Sequence, residues 1–345
     1  MDGTARREVS HGDGNGWVVS ADGARRWGRH GAAGLLLRAP SPEHPGEAVV
    51  LLQHRARWTA SGGTWALPGG AIDSHEDAAT AALRETEEEA AVAARDVTVR
   101  AALVTSAMRG TAWARPHGSP DLRDLLHSLR PDQDVADLVP PTELPPLEQV
   151  TDDEVEWTYT TVVADAAHPL DVVANNESLE LRWVPESQVA DLPLMPAFAE
   201  AWEGGLRAGP VELVLDVANI LGSRPDGWWR DRAGHTARLL DALAAELPRT
   251  LALPGGGFGW SVGTHAVLEG AARAAAEPTP DAGPGAGPRV HHAAGSGDDA
   301  IVELAAGLAG RGSEVVVVTA DRGLRERLAP GVVAVGPSVL DSRRG

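Results

Sequence analysis

The chain has 345 residues, a formal net charge of −19 and no cysteine, which leaves room for two domains and excludes disulfides, thiolate metal sites and cysteine nucleophiles. Residues 1–209 carry 33 acids against 17 arginines (−16), residues 210–345 carry 16 against 13 (−3), and lysine is absent. Broad attraction to nucleic acid is therefore excluded, and a polyanionic substrate would need a bridging cation. No run of about 18 apolar residues marks a membrane span, and the opening MDGTARREVSHGDGNG lacks the apolar core of a secretory signal. With the missing cysteines, this sets the expectation of a cytoplasmic protein.

Residues 1–30 read as an N-terminal extension. GAAGLLLR (31–38) and AVVLLQH (48–54) read as strands split by the turn-rich APSPEHPGE. Trp65-Ala66-Leu67 then runs into a tight loop at Pro68-Gly69-Gly70. Ser74 followed by Asp77 has capping-box spacing and opens a helix over 75–90. Strands are predicted at 97–105, 155–164 and 179–184. Between them, 107–152 is rich in proline and acid and reads as a long irregular insertion, with one weak helical patch at Leu122–Leu129. A solvated loop is a better account of it than a lid. Residues 31–200 form a first domain, with a linker at 201–210.

From 211 the pattern changes to strand–helix alternation: VELVLD, TARLLDALAAEL, TLALP, a glycine-rich stretch, RVHHAA, DDAIVELAAGLAG, EVVVVTAD, RGLRERLA and VVAVG. Near-continuous apolar strands between helices predict a second α/β domain over 211–341, with a parallel sheet. EPTPDAGPGAGP (277–288) is a flexible loop within it.

The segment GGAIDSHEDAATAALRETEEEAAV (69–92) crowds five glutamates. At roughly 100° per residue, Glu85, Glu88 and Glu89 share an arc of about 100°, beside an apolar arc of Ala79, Ala82, Leu83, Thr86 and Ala90. Three carboxylates on one face are costly unless cations neutralise them. Hard divalent ions such as Mg²⁺ do so through oxygen ligands, and the same ions neutralise pyrophosphate. Arg84 can hold one carboxylate in place. Glu76, nearly opposite Glu85 on the wheel, belongs near the helix start or in a salt bridge.

This stretch resembles the Nudix box, G-x5-E-x7-R-E-U-x-E-E-x-G-U with U apolar. Gly70, Glu76, Arg84, Glu85, Glu88, Glu89 and Val92 match in register, and WALPGG, with Gly69 and Gly70, looks like the family's entry loop. Two positions depart: Thr86 replaces an apolar residue and Ala91 replaces the closing glycine. The resemblance covers about 30–200. It implies an α/β/α sandwich with a mixed sheet, and cleavage of the pyrophosphate linkage of a nucleoside diphosphate derivative. It also implies Glu85, Glu88 and Glu89 as Mg²⁺ or Mn²⁺ ligands, one doubling as base, with Arg84 orienting them. Glu177 and Glu180 lie where family members sometimes supply a further acid, although a solvated strand accounts for both.

In the second half, Asp216 ends an apolar strand with Asn219 just after it. Asp298 and Asp299 open a helix, and Asp321 ends another apolar strand. In an open parallel sheet these points gather at one edge, and converging carboxylates again suggest a divalent ion. Singly, each has a plainer role: Asp298 as an N-cap, Asp299 on the helix dipole, Asp216 and Asp321 in turns. Together, LDVAN, GSGDD and VVTAD resemble the NYN domain of the PIN-like ribonuclease superfamily, over about 211–341. That resemblance implies a PIN-like α/β/α domain with a parallel sheet, metal ligation by Asp216, Asp298, Asp299 and Asp321, support from Asn219 and Thr319, and RNA as substrate. Trp228 and Trp229, with Arg224, Arg230 and Arg232, either stack on bases or form a loop with a core tryptophan. Of His291 and His292, one points inward as a buried histidine.

The expectation is thus a metal-dependent Nudix hydrolase fused to a PIN-like ribonuclease. The alternative is a nucleotide sensor regulating the second half. All the metal-binding positions are filled, which favours catalysis. Oligomeric state is not readable.

Overall fold

A computed structural model describes residues 12–114, 147–224, 227–276, 287–341 and 343–344. The helical patch expected at Leu122–Leu129 and most of the 277–288 loop lie outside the described residues.

The first half is built on a mixed sheet. Strand β3 (Ala32–Pro40) runs parallel to β8 (Glu148–Asp165), in register from Ala32 opposite Tyr159 to Arg38 opposite Asp165. Strand β7 (Thr98–Ala114) is antiparallel to β8, and β4 (Ala48–Arg55) is antiparallel to both β3 and β9 (Ser178–Pro185). The hairpin of β1 (Trp17–Val19) and β2 (Arg25–Trp27) adds to β7. Two short strands, β5 (Trp65–Ala66) and β6 (Gly69–Ala71), pair with β4 and β3.

Leu35, Leu36 and Leu37 are all fully buried, which requires cover on both faces. Alternation divides them. Leu35 and Leu37 pack with Ala81, Ala82, Leu83 and Ala90 of helix α1 (Ala78–Ala90). Leu36 faces the other way, with Val50, Leu52 and Val163, onto Phe198 of α2 (Pro196–Ala201) and onto Trp202 and Leu206.

Three sequence boundaries are corrected. Residues 17–27 are not an extension, because their hairpin belongs to the sheet. The segment expected to be irregular, 107–152, holds strand at both ends. Residues 107–114 and 148–152 are strand, since the β7–β8 ladder runs, across an irregularity between Thr111 and Trp113, out to Ala114 opposite Glu148. Residues 201–210 are not a free linker: Trp202, Leu206 and Ala208 are buried, and β10 (Ala208–Asp216) begins at once.

The second sheet has the order β11-β12-β10-β14-β15, with β13 on β12. Its members are β11 (Thr250–Ala252), β12 (Phe258–Leu268), β13 (Arg289–His292), β14 (Glu314–Val318) and β15 (Val333–Val335). β10 pairs parallel with β12 and β14, as do β12 with β13 and β14 with β15, while β11 is antiparallel to β12. Strand β12 occupies the stretch that reads as merely glycine-rich. Its glycines serve close packing: a Cβ on Gly259 would lie 2.9 Å from Val211, and one on Gly263 would lie 2.0 Å from the Glu212 carboxylate. Helices α3 (Val217–Gly222) and α4 (Arg232–Ala244) cover one face, and α5 (Gly297–Ala309) and α6 (Arg322–Arg327) the other.

The halves share a core. Phe258 and Trp260 of β12 belong to the same apolar cluster as Leu36, Val50 and Trp202. Polar groups reinforce the junction. Buried Asp165 accepts from Thr250 N at 2.8 Å, from Thr250 Oγ1 at 2.6 Å and from Arg100 at 2.7 Å. Buried Arg38 pairs with Glu186 at 3.0 Å, and Glu186 also accepts from Ala208 N at 2.7 Å. Backbone at Arg343–Arg344 (β16) returns to pair with Thr98 and Val99. Among the described residues no helix is long and apolar enough to cross a membrane.

Candidate active site

Helix α1 carries the crowded glutamates, and its first cap is Asp77, not Ser74. The Asp77 carboxylate accepts from Thr80 N at 2.8 Å, satisfying one of the open N–H groups of the first turn. Glu76 thus stands just outside the helix. It pairs with Arg84 (Nε to Oε2, 3.1 Å), the salt-bridge alternative of the two drawn from sequence, and accepts from Asp73 N at 3.0 Å. Burial pushes its pKa up, but the hydrogen bonds from Arg84 and Asp73 N–H outweigh that and hold it below the usual carboxylate range.

Arg84 is the hub. Its guanidinium donates to Glu76, to Glu85 Oε1 at 2.9 Å and to the Ala71 carbonyl at 3.0 Å, and lies 3.8 Å from Glu88. Glu85 and Glu89 are buried, while Glu88 is 43% exposed at its side chain. The Pro68-Gly69-Gly70 loop fits these carboxylates closely. Gly69 N–H donates to Glu89 Oε2 at 2.8 Å. A Cβ on Gly70 would lie 2.5 Å from the Glu85 carboxylate. At the helix exit Ala91 takes the left-handed conformation, φ 59°, and closes the last turn onto Glu87 O at 3.1 Å. The family's glycine has a physical counterpart here, adopted at a cost by alanine.

Burial pushes the Glu89 carboxyl well above its ordinary value, and the negative charges of Glu177 and Glu85 push it further. Arg55 and the Gly69 N–H oppose them. Glu177 is half-buried in the turn before β9 and not on a solvated strand, within electrostatic reach of Glu89. The solvated reading does hold for Glu180, whose exposed carboxylate pairs with Arg182 at 2.8 Å. Among the described residues no three His, Cys, Asp or Glu side chains are grouped so that they could hold a metal ion as they stand. The donor set still fits a hard divalent ion: all-oxygen ligands, two of them buried, whose mutual repulsion a cation would relieve.

A profile of the NUDIX domain matches residues 28–157. A Mycobacterium tuberculosis (strain CDC 1551 / Oshkosh) protein named "Putative 8-oxo-dGTP diphosphatase 3" is 42% identical over 256 residues, 74% of this chain and 88% of its own. The chain belongs to the Nudix family. A solved Nudix hydrolase from M. smegmatis, RenU, is 46% identical over 55% of this chain and 92% of its own, with a TM-score of 0.41. A Bifidobacterium longum (strain NCC 2705) "Nucleoside triphosphate pyrophosphatase/Nudix hydrolase fusion protein" is 31% identical over 198 residues, 56% of this chain and 31% of that longer protein.

This Nudix protein holds a second acidic set at the C-terminal edge of its second sheet. Asp216 ends β10 and caps α3, accepting from Asn219 N at 3.1 Å and from Thr319 Oγ1 at 2.8 Å. Thr319 Oγ1 in turn accepts from Asp321 N at 3.0 Å, and Asn219 Oδ1 from Ala320 N at 2.8 Å. Asp321 caps α6 through Leu324 N at 2.8 Å. Ser296, not Asp298, is the N-cap of α5; Asp298 and Asp299 lie in its first turn. Burial pushes Asp216 and Asp298 above the usual carboxylate range. Asp298 and Glu269 add to the push on Asp216, and Asp321 adds to that on Asp298. These four acids thus lie within electrostatic reach of one another, although among the described residues no three of them are grouped as a metal site. Asp299 stands at the rim, 71% exposed at its side chain and paired with Arg327.

Glu269 was not anticipated from sequence. It follows the apolar end of β12, as Asp216 ends β10 and Asp321 follows β14, and accepts from Gly297 N at 2.9 Å. Trp229 is 64% exposed, whereas Trp228 is half-buried with Arg232 stacked over it at 4.8 Å. Of the histidine pair, His291 turns inward to His265 at 2.9 Å and His292 stays exposed.

Proposed function

We propose that the first half hydrolyses the phosphoanhydride of a nucleoside diphosphate derivative with Mg²⁺ or Mn²⁺. The carrying observation is Glu89, a buried carboxylate raised by Glu177 and Glu85 and held by Gly69 N–H. Glu85, Glu88, Glu89 and Glu177 would hold the ion, which would neutralise the phosphate oxygens. Arg84 fixes Glu85 and thereby the ligand geometry. Gly69 and Gly70 leave room for the phosphates against the carboxylates. Glu88, the exposed carboxylate, is the member able to take a proton from the attacking water. A nucleoside triphosphate, oxidised or not, fits the substrate class carried by the names of the relatives. The complete acidic set favours turnover over nucleotide sensing.

For the second half the reading is a PIN-like, metal-dependent ribonuclease, supported by Asp216, Asp298, Asp321 and Glu269 lying within electrostatic reach of one another beside the switch between β10 and β14. Asp299 joins them at the rim, and Asn219 and Thr319 orient the set. The fused protein would act in the cytoplasm.

The test is product release from a panel of dNTPs, oxidised dNTPs, ADP-ribose, NADH and dinucleoside polyphosphates with Mg²⁺ or Mn²⁺. Wild type runs beside Glu88→Gln and Asp216→Asn, and all three are assayed on RNA. Nucleotide turnover lost only in Glu88→Gln, with RNA cleavage lost only in Asp216→Asn, is expected. Saturable binding without turnover would replace the first reading with a sensor. RNA cleavage that survives Asp216→Asn would remove the second.

A further inference from the structure

Tyr159 is the chain's only tyrosine. It lies on β8, on the same face as Ala32 of β3, and its ring packs with Val18, Ala32 and Trp157. Its hydroxyl rests on Gly34. A Cβ on Gly34 would lie 2.0 Å from the Tyr159 hydroxyl and 3.2 Å from the Pro68 carbonyl. Glycine in a strand interior weakens the strand, so this vacancy is spent on admitting the phenol. A phenylalanine would serve the ring's packing equally well. The hydroxyl gains nothing within the fold, since no described residue hydrogen-bonds it, yet it is not sealed among the fully buried polar atoms.

The surroundings are those of the nucleotide site. Pro68 leads into Gly69, whose N–H holds Glu89. Tyr159 is within electrostatic reach of Glu89 and Arg55, and Arg55 in turn acts on Glu89. Burial pushes the phenol pKa up to about 12, and an ordinary phenol is already protonated at neutral pH. The group is thus a neutral donor next to the proposed phosphate path.

We propose that the Tyr159 hydroxyl is a substrate contact, donating a hydrogen bond to a phosphate oxygen of the nucleotide where the phosphates cross the floor formed by Gly34 and Gly69. This rests on the pyrophosphohydrolase reading and adds to it a residue outside the acidic helix. A donor to a charged oxygen is worth about tenfold to a hundredfold in kcat/KM.

The experiment joins kinetics to a signal from the single tyrosine. Tyr159→Phe should keep the wild-type unfolding temperature and lose about tenfold to a hundredfold in kcat/KM. Fluorotyrosine-labelled protein gives one fluorine NMR resonance, read with Mg²⁺ and a triphosphate analogue carrying a methylene in place of the α–β bridging oxygen. The resonance should shift on saturation, and Gly34→Ala should abolish the shift by displacing the ring. Wild-type turnover with unchanged kinetics in Tyr159→Phe, or an unmoved resonance at saturation, overturns this proposal alone. Absence of both turnover and analogue binding in wild type overturns the pyrophosphohydrolase reading and this contact with it.

Discussion

Gly70→Ala tests whether the entry loop positions Glu85. The added methyl would lie 2.5 Å from both Cδ and Oε1 of Glu85 and 2.7 Å from Oε2. Ordinary contact needs about 3.5 Å, so the carboxylate must retreat by roughly 1 Å. It has little freedom to do so: Glu85 is 1% exposed and held by Arg84 at 2.9 Å. Backbone strain is not the cause, because Gly70 has no positive φ. Displacing a catalytic group by about 1 Å costs on the order of a hundredfold in rate, and overpacking costs about 1–3 kcal/mol of stability. Initial rates on the hydrolysed nucleotide and urea unfolding would be measured together. Adding Glu85→Asp to Gly70→Ala, which shortens the acid, should recover part of the rate. A folded Gly70→Ala protein with wild-type kcat/KM would refute the reasoning.

Ala91→Gly should stabilise the protein by about 0.5–1 kcal/mol, because it relieves the left-handed φ of 59° at less than the cost a side chain bears there; the urea midpoint should rise with an unchanged slope. The Glu89 carboxyl, raised by burial, Glu177 and Glu85, binds its proton more tightly folded than unfolded. Its contribution to metal-free stability is therefore full below the unfolded pKa of 4.5 and is lost as pH rises through the higher folded value. Glu89→Gln should flatten that fall in a pH series of thermal unfolding. Thr319→Val removes the donor to Asp216 Oδ2 and the acceptor for Asp321 N, costing about 1–3 kcal/mol. It should abolish RNA cleavage and leave nucleotide hydrolysis intact, measured on the same preparation.

The helical carboxylates were legible because a 3.6-residue period fixes which residues share a face, and Arg84 followed from its place among them. Glu177 was named only through the family resemblance, beside Glu180 and with a solvated strand preferred for both, because it joins Glu89 by a chain reversal through β7 and β8 and local spacing carries no such information. Strand β12 was hidden by Gly259 and Gly263, which exist for close contact with β10; losing the strand meant losing Glu269 at its end. The outer part of the β7–β8 ladder escaped for another reason. Its residues Thr151–Glu154 are largely exposed on both faces, so they lack the alternation that betrays a half-buried strand. The helix start slipped from Ser74 to Asp77 because both residue types cap well, and only the backbone path decides between them.

The apolar cluster that joins Leu36, Val50 and Leu52 to Phe258 and Trp260 also bears on how the protein is made. A chain leaving the ribosome presents its N-terminal part first. Phe198, Trp202 and Leu206 can begin to cover the face of the first sheet as soon as they emerge. The remainder stays wet until residue 260 has been synthesised. During that interval the nascent chain displays an apolar face of the kind chaperones bind, and a slow stretch of translation before β12 would prolong the exposure.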